Sequence, residues 1–344
     1  DGTETGTYMV KDIYNGSYSS NPKYLTELNG KLYFSADNGT NGIQLWVSDG
    51  TEENTALLKD LYPGQYSSDP AYLTKYNGKI FFRAYYKPSP SHPEMNDLFW
   101  TDGTEAGTML FKTLNGGASS NPQDFIVYNN RLYFIASDFS KGLELWVSDG
   151  TVGNTDVFKD ITPGKSWTPP FNLAISCGKL FFAGNDGVNN NQPWVSDGTE
   201  DGTRMIKVLN NGQGSLPTSF TEFNGLTWFV ALEDYYYRLF VTDGTESGTR
   251  AVNLPDTDDD YYGFDPQRTQ LFVYNGELYF SAGYDNKGEE LYKIDASVTS
   301  TPKNPQTEDY GLTIFPNPAT DYFMIESGNR VTMLNIYNLS GCLV

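Results

Sequence analysis

The chain has 344 residues, with 43 acidic against 23 basic side chains and a net charge of −20. This balance excludes nucleic acid as a partner and attraction to anionic lipid, because few cations are available to displace counterions from phosphate. No apolar run approaches the roughly 18–20 residues of a membrane helix, so no membrane insertion is expected. One histidine, His92, and two cysteines, Cys177 and Cys342, exclude a His/Cys zinc site and chemistry that needs a second imidazole.

The chain opens at Asp1 on a polar turn with no signal peptide in view, as in a mature or trimmed form. That turn is the first of a series. Asp-Gly-Thr begins at Asp1, Asp49, Asp102, Asp149, Asp197 and Asp243, and "LYKID", ending at Asp295, is a degenerate further copy. Three residues before each internal Asp stands an aromatic: Trp46, Phe99, Trp146, Trp194, Phe240 and Tyr292.

Within the first full unit, four apolar-rich runs follow in order: "KYLTELN", "KLYFSA", "IQLWVS" and "TALLKDL". Asn-Gly between the first two is a strong hairpin signal, since both central positions of a type I′ turn need positive φ. "SDGT" joins the last two. The later units repeat this order, each first strand led by Pro22, Pro70, Pro122, Pro170, Pro217 or Pro266.

Four antiparallel strands at a period of about 40–50 residues describe a propeller blade. The predicted fold is all-β: a six-bladed β-propeller of four-stranded antiparallel blades. The last unit supplies only three strands, and "TYMVKDI" at 7–13 stands alone at the start. This N-terminal strand is expected to complete the final blade and remove its free edge.

An Asp needed in six copies is architecture rather than catalysis. Asp49 and Asp149 are expected to accept backbone N–H groups in Asx-turns, helped by Thr51 and Thr151. The acidic insertion "DTDDDYYGFD" (256–265) places Asp256, Asp258 and Asp260 at alternating positions, a candidate calcium site. It lacks the distal Glu and sharp-turn Gly of an EF-hand, so a solvated insertion is the competing account.

The motif "ELWVSDG" (144–150) and its relatives resemble the ELWxxDGT repeat family of secreted and surface proteins of Bacteroidota. The resemblance covers residues 1–295 and implies an extracellular propeller. After Ser297 the composition turns to a Pro/Thr/Asn linker, and from Leu312 two alternating stretches follow. Leu312, Ile314, the run Phe315-Pro316-Asn317-Pro318 and Ile336-Tyr337-Asn338, ending at Gly341, resemble the start of a type IX secretion C-terminal sorting domain.

That second resemblance implies export across the outer membrane, the type IX machinery as a partner, and a place outside the cell or on the outer-membrane surface. Cys342 stands where the family has Lys or Arg, and the chain stops at Val344, so a truncated β-sandwich-like domain is expected. The domains read as 1–297 propeller, 298–311 linker and 312–344 partial sorting domain.

In such blades the short turns share one face, and the other face carries two variable loops per blade, where binding is expected. Those loops present Tyr18, Tyr66, Tyr85, Tyr86, Trp167, Tyr235, Tyr236 and Tyr261 among amides, hydroxyls and carboxylates. Rings beside polar groups suit a glycan or an extracellular protein, and they can also pack on their own loops. Two other readings stand. Glu94, Asp97, Glu233 and Asp234 would serve a carboxylate-based glycan hydrolase or lyase, and a passive spacer needs no site.

Overall fold

The computed structural model describes residues 2–164, 168–252, 264–265, 269–283, 288–294, 313–315 and 324–326. The described residues contain no α-helix. The first sheet is β1 (Lys23–Leu28), β2 (Lys31–Asp37), β3 (Ile43–Ser48) and β4 (Ala56–Lys59), paired in chain order. The second holds β5 (Ala71–Tyr76), β6 (Lys79–Tyr86), β7 (Met95–Thr101) and β8 (Met109–Lys112). The third holds β9 (Gln123–Tyr128), β10 (Arg131–Asp138), β11 (Gly142–Ser148) and β12 (Thr155–Lys159).

The fourth sheet is β13 (Phe171–Ser176), β14 (Lys179–Asn185), β15 (Asn191–Ser196) and β16 (Arg204–Met205). The fifth is β17 (Thr218–Phe223), β18 (Leu226–Glu233), β19 (Tyr236–Thr242) and β20 (Arg250–Ala251). The sixth has three strands, β21 (Phe272–Tyr274), β22 (Glu277–Gly283) and β23 (Glu289–Ile294). In the tail, β24 (Thr313–Phe315) pairs antiparallel with β25 (Met324–Glu326). The fold class read from the repeat is the one observed: an all-β propeller of antiparallel blades.

The hairpins form for the reason the sequence gives. Asn29 and Gly30 have φ of 52° and 76°, and Asn224 and Gly225 have 50° and 70°. Both central positions are left-handed, the type I′ geometry whose twist matches the flanking strands.

The chain divides into two compact units. The first comprises Asp1–Ile175, Lys179–Thr218 and Leu232–Tyr235. Its core lies between sheets. Leu28, Tyr33 and Leu45 pack with Ile80, Phe82 and Phe99. Phe81, Leu98 and Phe111 pack with Leu132, Phe134 and Trp146. Tyr133, Leu145 and Ile161 pack with Leu180, Phe182 and Trp194. The motif aromatics are therefore the filling between blades, and their burial is the main apolar gain of the repeat.

Lysines at the strand-four position add polar clamps across these interfaces. Lys59 Nζ donates to the carbonyls of Glu105 (3.1 Å) and Thr108 (2.7 Å), and Lys159 Nζ to those of Glu200 and Thr203 (both 2.8 Å). The second unit comprises Ser176–Gly178, Ser219–Ala231 and Tyr236–Val344. It has its own core, in which Phe223, Trp228, Leu239 and Val241 meet Leu271, Leu278 and Phe280.

The N-terminal clasp differs from expectation. Residues 7–13 form no strand, and among the described residues the sixth sheet has three strands. The segment is held instead by side chains on the first blade. Lys11 Nζ donates to the Glu52 and Thr55 carbonyls at 3.3 and 2.6 Å, and Ile13 packs on the Phe34–Trp46 cluster. Tyr8 and Met9 are exposed. An extended segment becomes a strand only through a backbone ladder, and side-chain clamps alone do not supply one.

Candidate functional site

The Asp-Gly-Thr turn is the obvious place to look for chemistry, and its bonds are local. Asp49 Oδ1 accepts from the Thr51 N–H (3.0 Å) and hydroxyl (2.7 Å), and Asp49 Oδ2 from Asn54 Nδ2 (2.7 Å). Asp149 repeats all three bonds with Thr151 and Asn154. Asp102, Asp197 and Asp243 make the same two bonds to Thr104, Thr199 and Thr245. The threonine hydroxyl, aided by its N–H, holds the carboxyls of Asp49, Asp102, Asp149 and Asp197 below the usual range. Every lone pair so used fastens a hairpin.

Another position of the repeat is also structural. Gln44, Asp97, Glu144 and Gln192 open the third strands of their blades, and none is solvent-exposed. Gln44 Oε1 accepts from Leu61 N (3.1 Å) and Ser68 Oγ (2.5 Å), while its Nε2 donates to the Asn41 and Tyr66 carbonyls, both at 2.9 Å. Gln192 repeats this with Leu209 N and Ser215 Oγ, both at 2.9 Å. Glu144 Oε2 accepts the Ile161 N–H at 2.9 Å. Asp97 accepts from Ser120 Oγ and from Tyr86 Oη, the latter at 3.2 Å. Gln44 and Gln192 tie both ends of a crossover loop to the sheet below it.

This removes Asp97 from the solvent-accessible carboxylates. Burial pushes it above the usual range, with the Ser120 and Tyr86 hydroxyls pulling the other way. Tyr86 turns inward with it, edge-on to Phe99 at 5.3 Å. Tyr85 is half-buried. Tyr18 is 69% exposed, Tyr66 60% and Tyr235 94%, and Tyr236 is exposed as well. Trp167, Tyr261, Asp256, Asp258 and Asp260 lie outside the described residues. Among the described residues no cluster of His, Cys, Asp or Glu is arranged to hold a metal ion.

Tyr235 sits in a two-residue hairpin between β18 and β19, with Asp234 at φ 48° and Tyr235 at φ 74°. The connection is a tight turn rather than a long loop. A bulky side chain at positive φ is strained, and such strain persists only where the surroundings enforce it. Asp234 N donates to Asn210 Oδ1 at 3.1 Å, which ties the turn to the neighbouring crossover.

A second group of residues gave no signal in the sequence. Two positions after the leading proline, Tyr24, Tyr72, Asp124 and Asn172 all adopt φ between 53° and 58°. The ladders of β1 and β5 slip at this point, as a bulge requires. First strands of successive blades touch here: Thr26 Oγ1 donates to the Leu73 carbonyl at 2.9 Å, and the Tyr24 and Tyr72 rings lie 5.6 Å apart. The Arg83 guanidinium stands 5.2 Å over the Tyr72 ring. Burial raises the Asp69 and Asp124 carboxyls, while the nearby Arg83 charge partly offsets the rise at Asp69.

Tyr14 and Tyr62 also escaped notice, although the spacing Tyr-x-Gly-x-Tyr at 14–18 and 62–66 marks them. Each stacks under a candidate ring. Tyr14 and Tyr18 have centroids 5.0 Å apart at 26°, and Tyr62 and Tyr66 4.9 Å apart at 20°.

Solved structures support the fold alone. A prolyl endopeptidase structure is similar at 11% identity and a TM-score of 0.51, over 82% of this chain and 41% of the other. A puromycin-hydrolyzing peptidase of Mycobacterium tuberculosis is similar at 12% identity and a TM-score of 0.50, over 82% of this chain and 44% of the other. The chain thus spans less than half the length of either. A search of curated proteins finds no significant match. Residues 313–344 match the family described as the secretion system C-terminal sorting domain. This tail marks the protein for type IX secretion to the outer-membrane surface or the extracellular space, and for contact with that machinery.

Proposed function

We propose that this is a secreted or surface-attached binding propeller of ELWxxDGT-type repeats, whose long-loop face engages a glycan or an extracellular protein. The observation that carries the reading is the exposure of Tyr18, Tyr66 and Tyr235 on connections between strands, with Tyr236 exposed at the start of β19. Exposed rings held in place lose little entropy on binding, and their polar surroundings supply orientation. The repeated Asp and the buried Gln44, Asp97, Glu144 and Gln192 are occupied with holding the blades, which leaves the variable face for recognition.

Capture of immobilised glycans and of extracellular proteins, compared between the wild type and a variant with all four tyrosines changed to Ala, tests this. Retention should fall at least tenfold with the melting curve unchanged. Equal retention by the two proteins would sink the proposal. A second reading, carboxylate chemistry on a glycan, is favoured by the Asp69–Arg83–Tyr72 group with Asp124 nearby, since raised carboxyls suit a general acid. Glycan cleavage lost in Asp69→Asn or Asp124→Asn would support it, and no cleavage by the wild type would dismiss it.

A further inference from the structure

The stacked pairs Tyr14–Tyr18 and Tyr62–Tyr66 sharpen that reading. The outer rings are open, Tyr18 at 69% and Tyr66 at 60% exposed, while Tyr62 is buried at 8% and Tyr14 half-buried. The inner rings rest on the next loop of the following blade. A Cβ at Gly39 would lie 2.3 Å from the Tyr14 ring, so Gly39 is the floor on which that ring sits. Burial raises the Tyr62 hydroxyl, and the Glu94 carboxylate in the corresponding loop adds to the rise. The backbone under the second platform is fixed too, because the buried Gln44 amide holds the Tyr66 carbonyl and Ile43 N donates to Ser67 Oγ at 3.0 Å.

Among the described residues the pair occurs at two crossovers. At the corresponding places 113–121 has Asn115 and Ala118, 160–164 has Thr162, and the next crossover has Asn210 and Gln213. A repeat that keeps its turns and cores for architecture has no structural need of these rings, since 113–121 and 208–216 close without them. Around each outer ring the exposed neighbours are Asn15, Ser17, Ser19, Pro63 and Gln65. Within 14–19 and 62–66 no Leu, Ile, Val or Met is present, so these segments bring no aliphatic cluster of the kind a protein interface uses. Neither 12–21 nor 60–69 contains Lys or Arg, while Asp12, Asp60 and Asp69 do lie there. The two crossovers therefore carry negative charge of their own and no cation to pair with an anionic ligand.

We infer that these two platforms are sugar-stacking subsites for a neutral glycan, one pyranose face on Tyr18 and another on Tyr66. The inference rests on the binding reading above and assigns it to the crossovers leading into the first two blades. A sugar presents a C–H face to a ring and hydroxyls to its edges, and Asn15, Ser17 and Gln65 offer the matching donors and acceptors.

The test is calorimetric titration of the full chain with cellohexaose, maltohexaose, mannohexaose and oligogalacturonate. At least one neutral hexasaccharide should bind and the uronate should not. Tyr18→Ala and Tyr66→Ala should each weaken binding about tenfold, and Tyr66→Phe should leave it within about twofold, because the face rather than the hydroxyl makes the contact. Tyr235→Ala reports on the ring outside the two platforms. If it abolishes glycan capture while Tyr18→Ala and Tyr66→Ala do not, the face reading stands and the platform assignment falls. Preference for the uronate, or failure of every neutral sugar to bind, overturns the neutral-glycan assignment. If a captured protein is the only ligand lost with these rings, that also overturns it.

Discussion

The Glu144 carboxylate accepts the Ile161 N–H at 2.9 Å through Oε2, while its Oε1 is buried with no hydrogen-bond partner. At the corresponding position Gln44 fills that second place with an amide, donating to two carbonyls. A protonated carboxyl can donate in the same way and an ionised one cannot. Burial, joined by the Asp160 charge, accordingly pushes Glu144 up to about 7, although the Ile161 and Thr162 N–H groups oppose it.

The pH dependence follows from that shift. With its folded pKa raised above the unfolded value of 4.5, Glu144 binds more protons in the native state between pH 4.5 and about 7. Its contribution is therefore fully favourable below pH 4.5 and declines as pH rises through 7, by roughly 2–4 kcal/mol in all. Glu144→Gln should remove this slope and raise the melting temperature at pH 8, with little effect at pH 4.5. Thermal melts of both proteins across that range check it.

The turn carboxylates act with the opposite sign. Asp49, Asp102, Asp149 and Asp197 are held below their ordinary value, so they support folding above pH 3.8 and lose that support as pH falls through their lowered values. Asp149→Ala should lower the melting temperature at pH 7 and leave ligand affinity within about twofold. A tenfold loss of affinity in this variant would contradict the architectural role of the motif.

Tyr235 is predicted to exchange stability for contact. Its φ of 74° strains any side chain with a Cβ, by about 1–2 kcal/mol, and glycine is free of that strain. Tyr235→Gly should stabilise the protein by about 1 kcal/mol in denaturant unfolding while reducing ligand capture. A destabilised variant would mean that the ring packs on its surroundings, against its 94% exposure.

The lysine clamps should hold blades together rather than bind anything. Lys159→Met keeps the aliphatic stem and removes the two bonds to the Glu200 and Thr203 carbonyls. A cost of about 1–3 kcal/mol is expected for charged hydrogen bonds of this kind. It would be read as a lower unfolding midpoint with an unchanged ligand affinity.

The sequence alone determined the blade. Asn-Gly can serve few purposes between two apolar runs other than a type I′ hairpin, and a side chain repeated around the chain has to answer a need common to every blade. Strand order, turn type and the packing role of Trp46, Trp146 and Trp194 were legible for that reason, because they depend on neighbours only a few residues away or on the repeat itself.

Tertiary structure alone decided which polar groups face water. Asp97 looked available as a carboxylate until the crossover folded over it and brought Ser120 and Tyr86 to its oxygens. Tyr24 and Tyr72 adopt left-handed backbone because the bulge in an inner strand demands it, against every local preference of tyrosine. Residues 7–13 carry a strand's alternation and form no strand, since alternation alone supplies no backbone ladder. In each case the deciding partner is distant in sequence, and its position is set by how loops and blades pack, which no short-range pattern encodes.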